Sequence, residues 1–185
     1  MPEVSEDAAL LIAASWQAKT RLEEGDEETE VCNSTVVLVF AAFFIEANLA
    51  SIIRLSNKEG DLAEYFNPRH PEKARPGLQD KLAWFCGQHE IVPVVPNRDD
   101  LKEVYPLLEA RFDGFKEIRD FRNGVSHGHI DRRIANAARA QELRNKAKSI
   151  VKELFVIAER RWGTIDRLMT YERAVKSRPY VEDES

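Results

Sequence analysis

A chain of 185 residues with 43% hydrophobic and 32% charged side chains, and only 8 Gly and 8 Pro, is long enough to bury a sizeable core. One globular domain with polar tails is the expectation. The formal net charge of −5 argues against a general nucleic-acid coat, and Cys32 and Cys86 spell neither a disulfide framework nor a CxxC site. Two isolated thiols, buried and reduced, fit a cytoplasmic protein.

The opening MPEVSEDAALL is acidic where a secretory signal carries cations, so export is not expected. Ser5 can cap a first helix with Leu10, Leu11, Ala14 and Ala18 at helical spacing and Gly25 at its end. Residues 1–27 therefore read as an acidic amphipathic element that packs on the rest. A second helix is predicted over about residues 28–56. It is apolar nearly all round between Val36 and Ile45, which predicts a helix enclosed by others, with Val39, Phe40, Phe43 and Phe44 in the core. The uninterrupted apolar run is too short to cross a bilayer, and Glu46 and Asn48 follow it, so no membrane role is expected.

A short acidic piece near residues 61–66 leads into residues 67–77, whose three Pro forbid a helix and predict a surface loop. Residues 78–88 read as a short helix and residues 91–97 as an extended connection. Asn97 then caps a helix whose apolar positions Leu101, Val104, Leu108, Phe112, Phe115 and Ile118 recur at three and four. Pro106 either kinks this run or begins a second helix. The last long helix carries Ala140, Leu143, Ala147, Ile150, Val151, Leu154 and Ala158 on one face to about Trp162, where Gly163 can end it. No stretch alternates with period two, and no repeat is visible. The expected fold is all-α, a four- or five-helix up-and-down bundle over residues 28–172, with a polar tail over 173–185.

The chemistry concentrates where the stripe reaches FRNGVSHGHID, residues 121–131. Arg122 offers a permanent, forked positive charge suited to a phosphate, and His127 can carry a proton near neutral pH. That pair suits phosphodiester chemistry without a metal or other cofactor. Asn123 could orient the His or the phosphate, and Ser126 could contact phosphate or merely cap the helix. The alternative is a helix C-terminus satisfied by two cations, with Gly124 or Gly128 making the turn. Charge is also uneven: nine acids face two bases before residue 31, and nine bases face four acids over residues 131–161. The basic stretch could attract a polyanion or be an ordinary solvated helix face.

An all-α bundle whose penultimate long helix ends in Arg122, Asn123, Gly124, Val125, Ser126, His127 resembles the HEPN superfamily (higher eukaryotes and prokaryotes nucleotide-binding). The resemblance covers the helical core by architecture and Arg122, Asn123 and His127 by identity. It implies a metal-independent ribonuclease of toxin–antitoxin or defence type, acting on RNA as a homodimer with two motifs in one groove, with an antitoxin or other protein as a further partner. It also admits a non-catalytic bundle that binds a protein, nucleotide or RNA. One subgroup carries Tyr two residues after the His as a nucleotidylation target; here that place is His129.

Glu46, beside the most apolar run, needs a partner, for which Arg122, Arg54 or another base are candidates. Residues 127–131 also spell HxHxD, the start of a metallo-β-lactamase-type zinc motif, but Arg132 stands where that motif has His and no His follows His129. No metal site is expected.

Overall fold

The computed structural model describes residues 27–163. The expected helix of residues 5–25, its packing on the bundle, and the tail of residues 173–185 lie outside the described residues.

The described residues form helices and no strand: α1 Glu27–Leu55, α2 Glu59–Phe66, α3 Leu78–Gln88, α4 Tyr105–Arg111, α5 Phe115–Ser126 and α6 Ala137–Trp162, with 3-10 turns at Pro71–Lys73 and Arg98–Glu103. All-α is therefore the fold class. The chain packs α1 most extensively against α6 and next against α5. Each long helix ends where its sequence supplies a stop. Asn57 adopts a left-handed φ of 56° after α1, and the Lys58 amide bonds the Ile53 carbonyl, so the last carbonyls of α1 are not left open. Asn136 caps α6 by accepting a hydrogen bond from the Arg139 amide at 2.9 Å. Gly163, at φ 86°, terminates it.

The core is continuous through Leu38, Ile45, Leu49, Ile52, Leu82, Phe85, Leu108, Phe115, Ile118, Leu143 and Leu154. Of the residues expected inside, Phe115, Ile118, Ile150 and Leu154 are buried. The aromatic part of α1 is placed differently. Val39, Phe40 and Phe44 are half-buried and Phe43 is 38% exposed, while Val37, Leu38, Ala41, Ala42 and Ile45 face inward. A helix apolar on every side carries no information about which side its neighbours take, and α5 and α6 cover only part of this one. Thr29–Leu55 is long and apolar enough to cross a membrane by length and composition alone; half of its most apolar window is buried inside the fold.

Between residues 97 and 126 the predicted run is three elements. Asn97 caps a 3-10 segment, accepting from the Asp99 amide. Pro106 sits in the first turn of α4, where its missing N–H costs nothing. Gly114, at φ 79°, then breaks α4 from α5, and a side chain there would collide with Lys146. The acidic piece before the Pro-rich loop is the helix α2. Cys86 is fully buried, with its thiol pushed up to about 12 by burial, but Cys32 is exposed, against expectation.

His89 closes the end of α3. Its ring lies 4.5 Å from Phe85 and 4.3 Å from Trp162 between centroids, and its Nε2 is buried without a hydrogen-bond partner. Burial first, and the Arg161 charge second, hold its pKa down at about 4. Unfolding restores the ordinary value near 6.5, so below that pH the unfolded chain takes up a proton that the folded chain refuses. Stability should therefore fall as pH drops from 6.5 towards 4, by on the order of 2 kcal/mol from this group. Urea unfolding of the wild type and His89→Phe at pH 7.5 and 4.5 checks this, and the variant should lose markedly less; equal losses would contradict it.

Candidate functional site

The site grows from the last two turns of α5 and from the way that helix stops. His127 is the C-cap, Gly128 follows at φ 76°, its amide bonds the Val125 carbonyl, and the His129 amide bonds the Gly124 carbonyl at 2.9 Å. This is a Schellman stop, whose left-handed position favours glycine at Gly128. A Cβ on Gly124 would stand 3.1 Å from the His129 carbonyl oxygen, a tight contact that the returning chain would have to ease by a few tenths of an ångström. The stop leaves the side chains of His127 and His129 exposed at the helix end. His127 has no hydrogen bond or ion pair to its side chain among the described residues.

Arg122 is held from several sides. Its Nη2 lies 3.5 Å from Glu46 Oε2 on α1, its Nη1 donates to Asn123 Oδ1 at 3.1 Å, and its guanidinium lies 5.5 Å from the centre of the Phe43 ring. The ring face and carboxylate both favour the cation and restrict its swing. Glu46 is shared: its other oxygen accepts from Lys81 Nζ on α3 at 2.9 Å. Of the candidate partners for Glu46, the fold supplies Arg122 together with Lys81, and not Arg54. Two cations around one carboxylate leave this corner net positive.

Ser126 is bound inward, its hydroxyl donating to the Arg122 carbonyl at 3.0 Å. That bond spends its proton on the helix backbone, so its part here is to steady the last turn. Asn123 is exposed and acts on Arg122 through its side-chain oxygen. The fold thus gathers Arg122, Asn123 and Glu46 by contact and sets His127 on the same helix end. Sequence reasoning missed Lys81 and the part of Phe43. Neither carries a local signal, because both reach Arg122 or Glu46 only through the packing of α1 against α3 and α5.

Asp131, the acid of the HxHxD string, is engaged elsewhere. It accepts from the Arg133 side chain at 2.8 Å and from the Arg133 amide at 3.0 Å, and these bonds hold its carboxyl down at about 2. Among the described residues no three His, Cys, Asp or Glu side chains converge as metal ligands.

The basic stretch over residues 131–161 is neutralised in part. Arg139 pairs with Glu117 and Glu142, Lys146 with Asp113 and Glu142, and Arg161 with Glu90. Such pairs add little stability, but they reduce the positive field that the raw count suggests, while Arg132, Lys152 and Arg160 stay exposed. The chain matches no protein-family model, and neither the curated proteins nor the solved structures give a match.

Proposed function

We propose that this protein is a metal-independent endoribonuclease of HEPN type, toxin-like or defence-related, built on a four- or five-helix up-and-down bundle. The observation that carries the reading is the end of α5. There an Arg122 fixed by Glu46 and Phe43 shares a helix terminus with an exposed, unbonded His127.

Cleavage needs no cofactor. A base takes the proton of a ribose 2′-OH, the oxygen attacks the adjacent phosphorus, and the P–O5′ bond breaks as an acid protonates the leaving oxygen. The products are a 2′,3′-cyclic phosphate and a 5′-hydroxyl. His127 supplies the proton transfer and Arg122 neutralises the charge that builds on the phosphoryl oxygens. Asn123 and Glu46 position the guanidinium. One imidazole cannot take and give the proton at once, and the second copy of His127 in a homodimer supplies the missing partner.

The dimer reading is supported by the outer face of α1. Val36 is 40% exposed and Phe43 38%, seven residues apart on the side that carries Arg122's ring contact, an apolar strip suited to an isologous contact beside the motif. Light scattering should give twice the chain mass at micromolar concentration; a monomer throughout would count against paired motifs. The activity itself is tested on a labelled RNA pool in EDTA, where the wild type should release ends bearing 2′,3′-cyclic phosphate. Binding of RNA or of a protein without cleavage would favour the second reading, a non-catalytic bundle. Arg122's existing pairing with Glu46 is the feature consistent with that one. An antitoxin or other protein partner and a cytoplasmic setting belong to the same proposal.

A further inference from the structure

Away from the end of α5 lies a cavity of about 430 Å³, between the Pro-rich loop, the Arg98–Glu103 turn and the starts of α3 and α4. Its walls carry Lys73, Arg75, Arg98 and Lys102 from two separate segments, and Tyr105. Two carboxylates also line it, and both are engaged. Asp80 accepts from the Tyr105 hydroxyl and, at 3.3 Å, from the Gly77 amide, and Asp99 lies 3.4 Å from Arg98 Nε. Arg98 and Arg75 are steadied by backbone carbonyls, of Phe66 at 2.9 Å and of Ala74 at 2.7 Å, and of the two only Arg98 also has a carboxylate partner, Asp99. Lys73 and Lys102 have no partner among the described residues.

The cavity is joined to the candidate catalytic corner through two helices. Asp80 lines it, and the next residue, Lys81, bonds Glu46 and through it Arg122. On the other side Arg119, one turn before Arg122 on α5, is near enough to Tyr105 to act on its hydroxyl electrostatically. A strand with one phosphate at Arg122 has a further concentration of positive charge here, with Tyr105 in its lining.

We infer that this cavity is a second phosphate site, which holds a nucleotide of the single-stranded RNA flanking the one cleaved at Arg122 and His127. The inference rests on RNA being the substrate. Lys73 and Lys102 grip the flanking phosphodiester, Arg98 and Arg75 shape the positive wall, and Tyr105, fixed by Asp80, offers its ring to the base. The site would explain how a chain of net charge −5 retains a strand: the positive charge is local.

The test uses a fluorescent 12-nucleotide RNA with every 2′-OH methylated, so that binding is read without cleavage, in EDTA. Lys73→Glu/Lys102→Glu should weaken binding at least tenfold with the far-UV spectrum unchanged. Lys73→Gln/Lys102→Gln should flatten the salt dependence by about 0.7 in log–log slope, as expected for one lost phosphate contact. A methylated dinucleotide, which fills one site at a time, should bind the wild type and the Gln variant within about twofold. Unchanged 12-mer affinity and slope in both variants would overturn the site, as would a wild type that binds no RNA. AMP that binds the wild type and loses affinity in the Gln variant, while 12-mer binding is unaltered, would reassign the cavity to free nucleotides and also overturn it. A wild type that binds the 12-mer through these lysines but cleaves no RNA would leave the cavity assignment standing and remove only the ribonuclease reading.

Discussion

Replacing His127 by Ala should lower RNA cleavage in EDTA by roughly a hundred- to ten-thousand-fold, because the proton carrier is gone and water is a poor substitute at neutral pH. Arg122→Ala should cost roughly a hundred- to a thousand-fold or more, since it removes the charge that stabilises the five-coordinate phosphorus state. Both side chains lie at or near the surface, so the fold should survive: His127 is exposed, and the Arg122 side chain is 32% exposed. Arg122→Ala does strip Glu46 of one partner, but Lys81 at 2.9 Å remains to hold that carboxylate. His129→Ala should have a smaller effect, for its backbone closes the helix stop and its ring serves no assigned step. Gel analysis of end-labelled RNA at matched enzyme concentration, with circular dichroism on each variant, decides the matter. Activity within a few-fold of wild type in either motif variant would contradict the assigned roles.

Phe115→Ala should be among the most damaging single changes to the scaffold. Phe115 opens α5, is fully buried, and has the Arg119 guanidinium 6.0 Å from its ring centre. Truncating a buried aromatic removes its transfer free energy and leaves a cavity, together about 3–5 kcal/mol. Val94→Ala, at a site 62% exposed, should fall within about 0.5 kcal/mol of wild type. Urea unfolding monitored by circular dichroism measures both. A Phe115→Ala loss below that of Val94→Ala would mean that α5 is not anchored as described.

Much of this architecture could be read in the residues because its boundaries are marked by local chemistry. Asn97, Pro106 and Gly163 all act within one turn of themselves, and the structure uses each at a helix end. The Asp113, Gly114 pair was equally local, and the break it makes between α4 and α5 was readable but hidden beneath an apolar spacing that continues across it. The outward turn of Phe43 was not legible. In a helix apolar on all sides the choice of buried face is made by α5 and α6, not by the helix itself.

The motif divides in the same way. Gly128 is explained by the Schellman stop and Gly124 sits close under the returning chain, so their presence beside Arg122 reports backbone geometry before it reports chemistry. The pairing of Arg122 with Glu46 spans 76 positions and could be named only as one option among several cations. Lys81 was invisible because nothing in its own neighbourhood asks for a distant carboxylate. The basic C-terminal stretch misled in the opposite direction. Some of its charges are matched by Glu117, Asp113 and Glu90, which lie far away in sequence, so a local count overstated the field. Positive charge also gathers at Arg122 with Lys81 and around the cavity at Lys73 and Lys102.

The central claim is that the end of α5 cleaves RNA by attack of its own 2′-OH. It is tested most directly with two oligonucleotides of one sequence in EDTA, the first all-ribose and the second with a single 2′-deoxy sugar 5′ to the mapped scissile phosphate. The wild-type protein should cut the first and leave a 2′,3′-cyclic phosphate, and should leave the second intact at that bond. Cutting at the deoxy-bearing linkage, or cutting of the first only when zinc is added, would contradict the account.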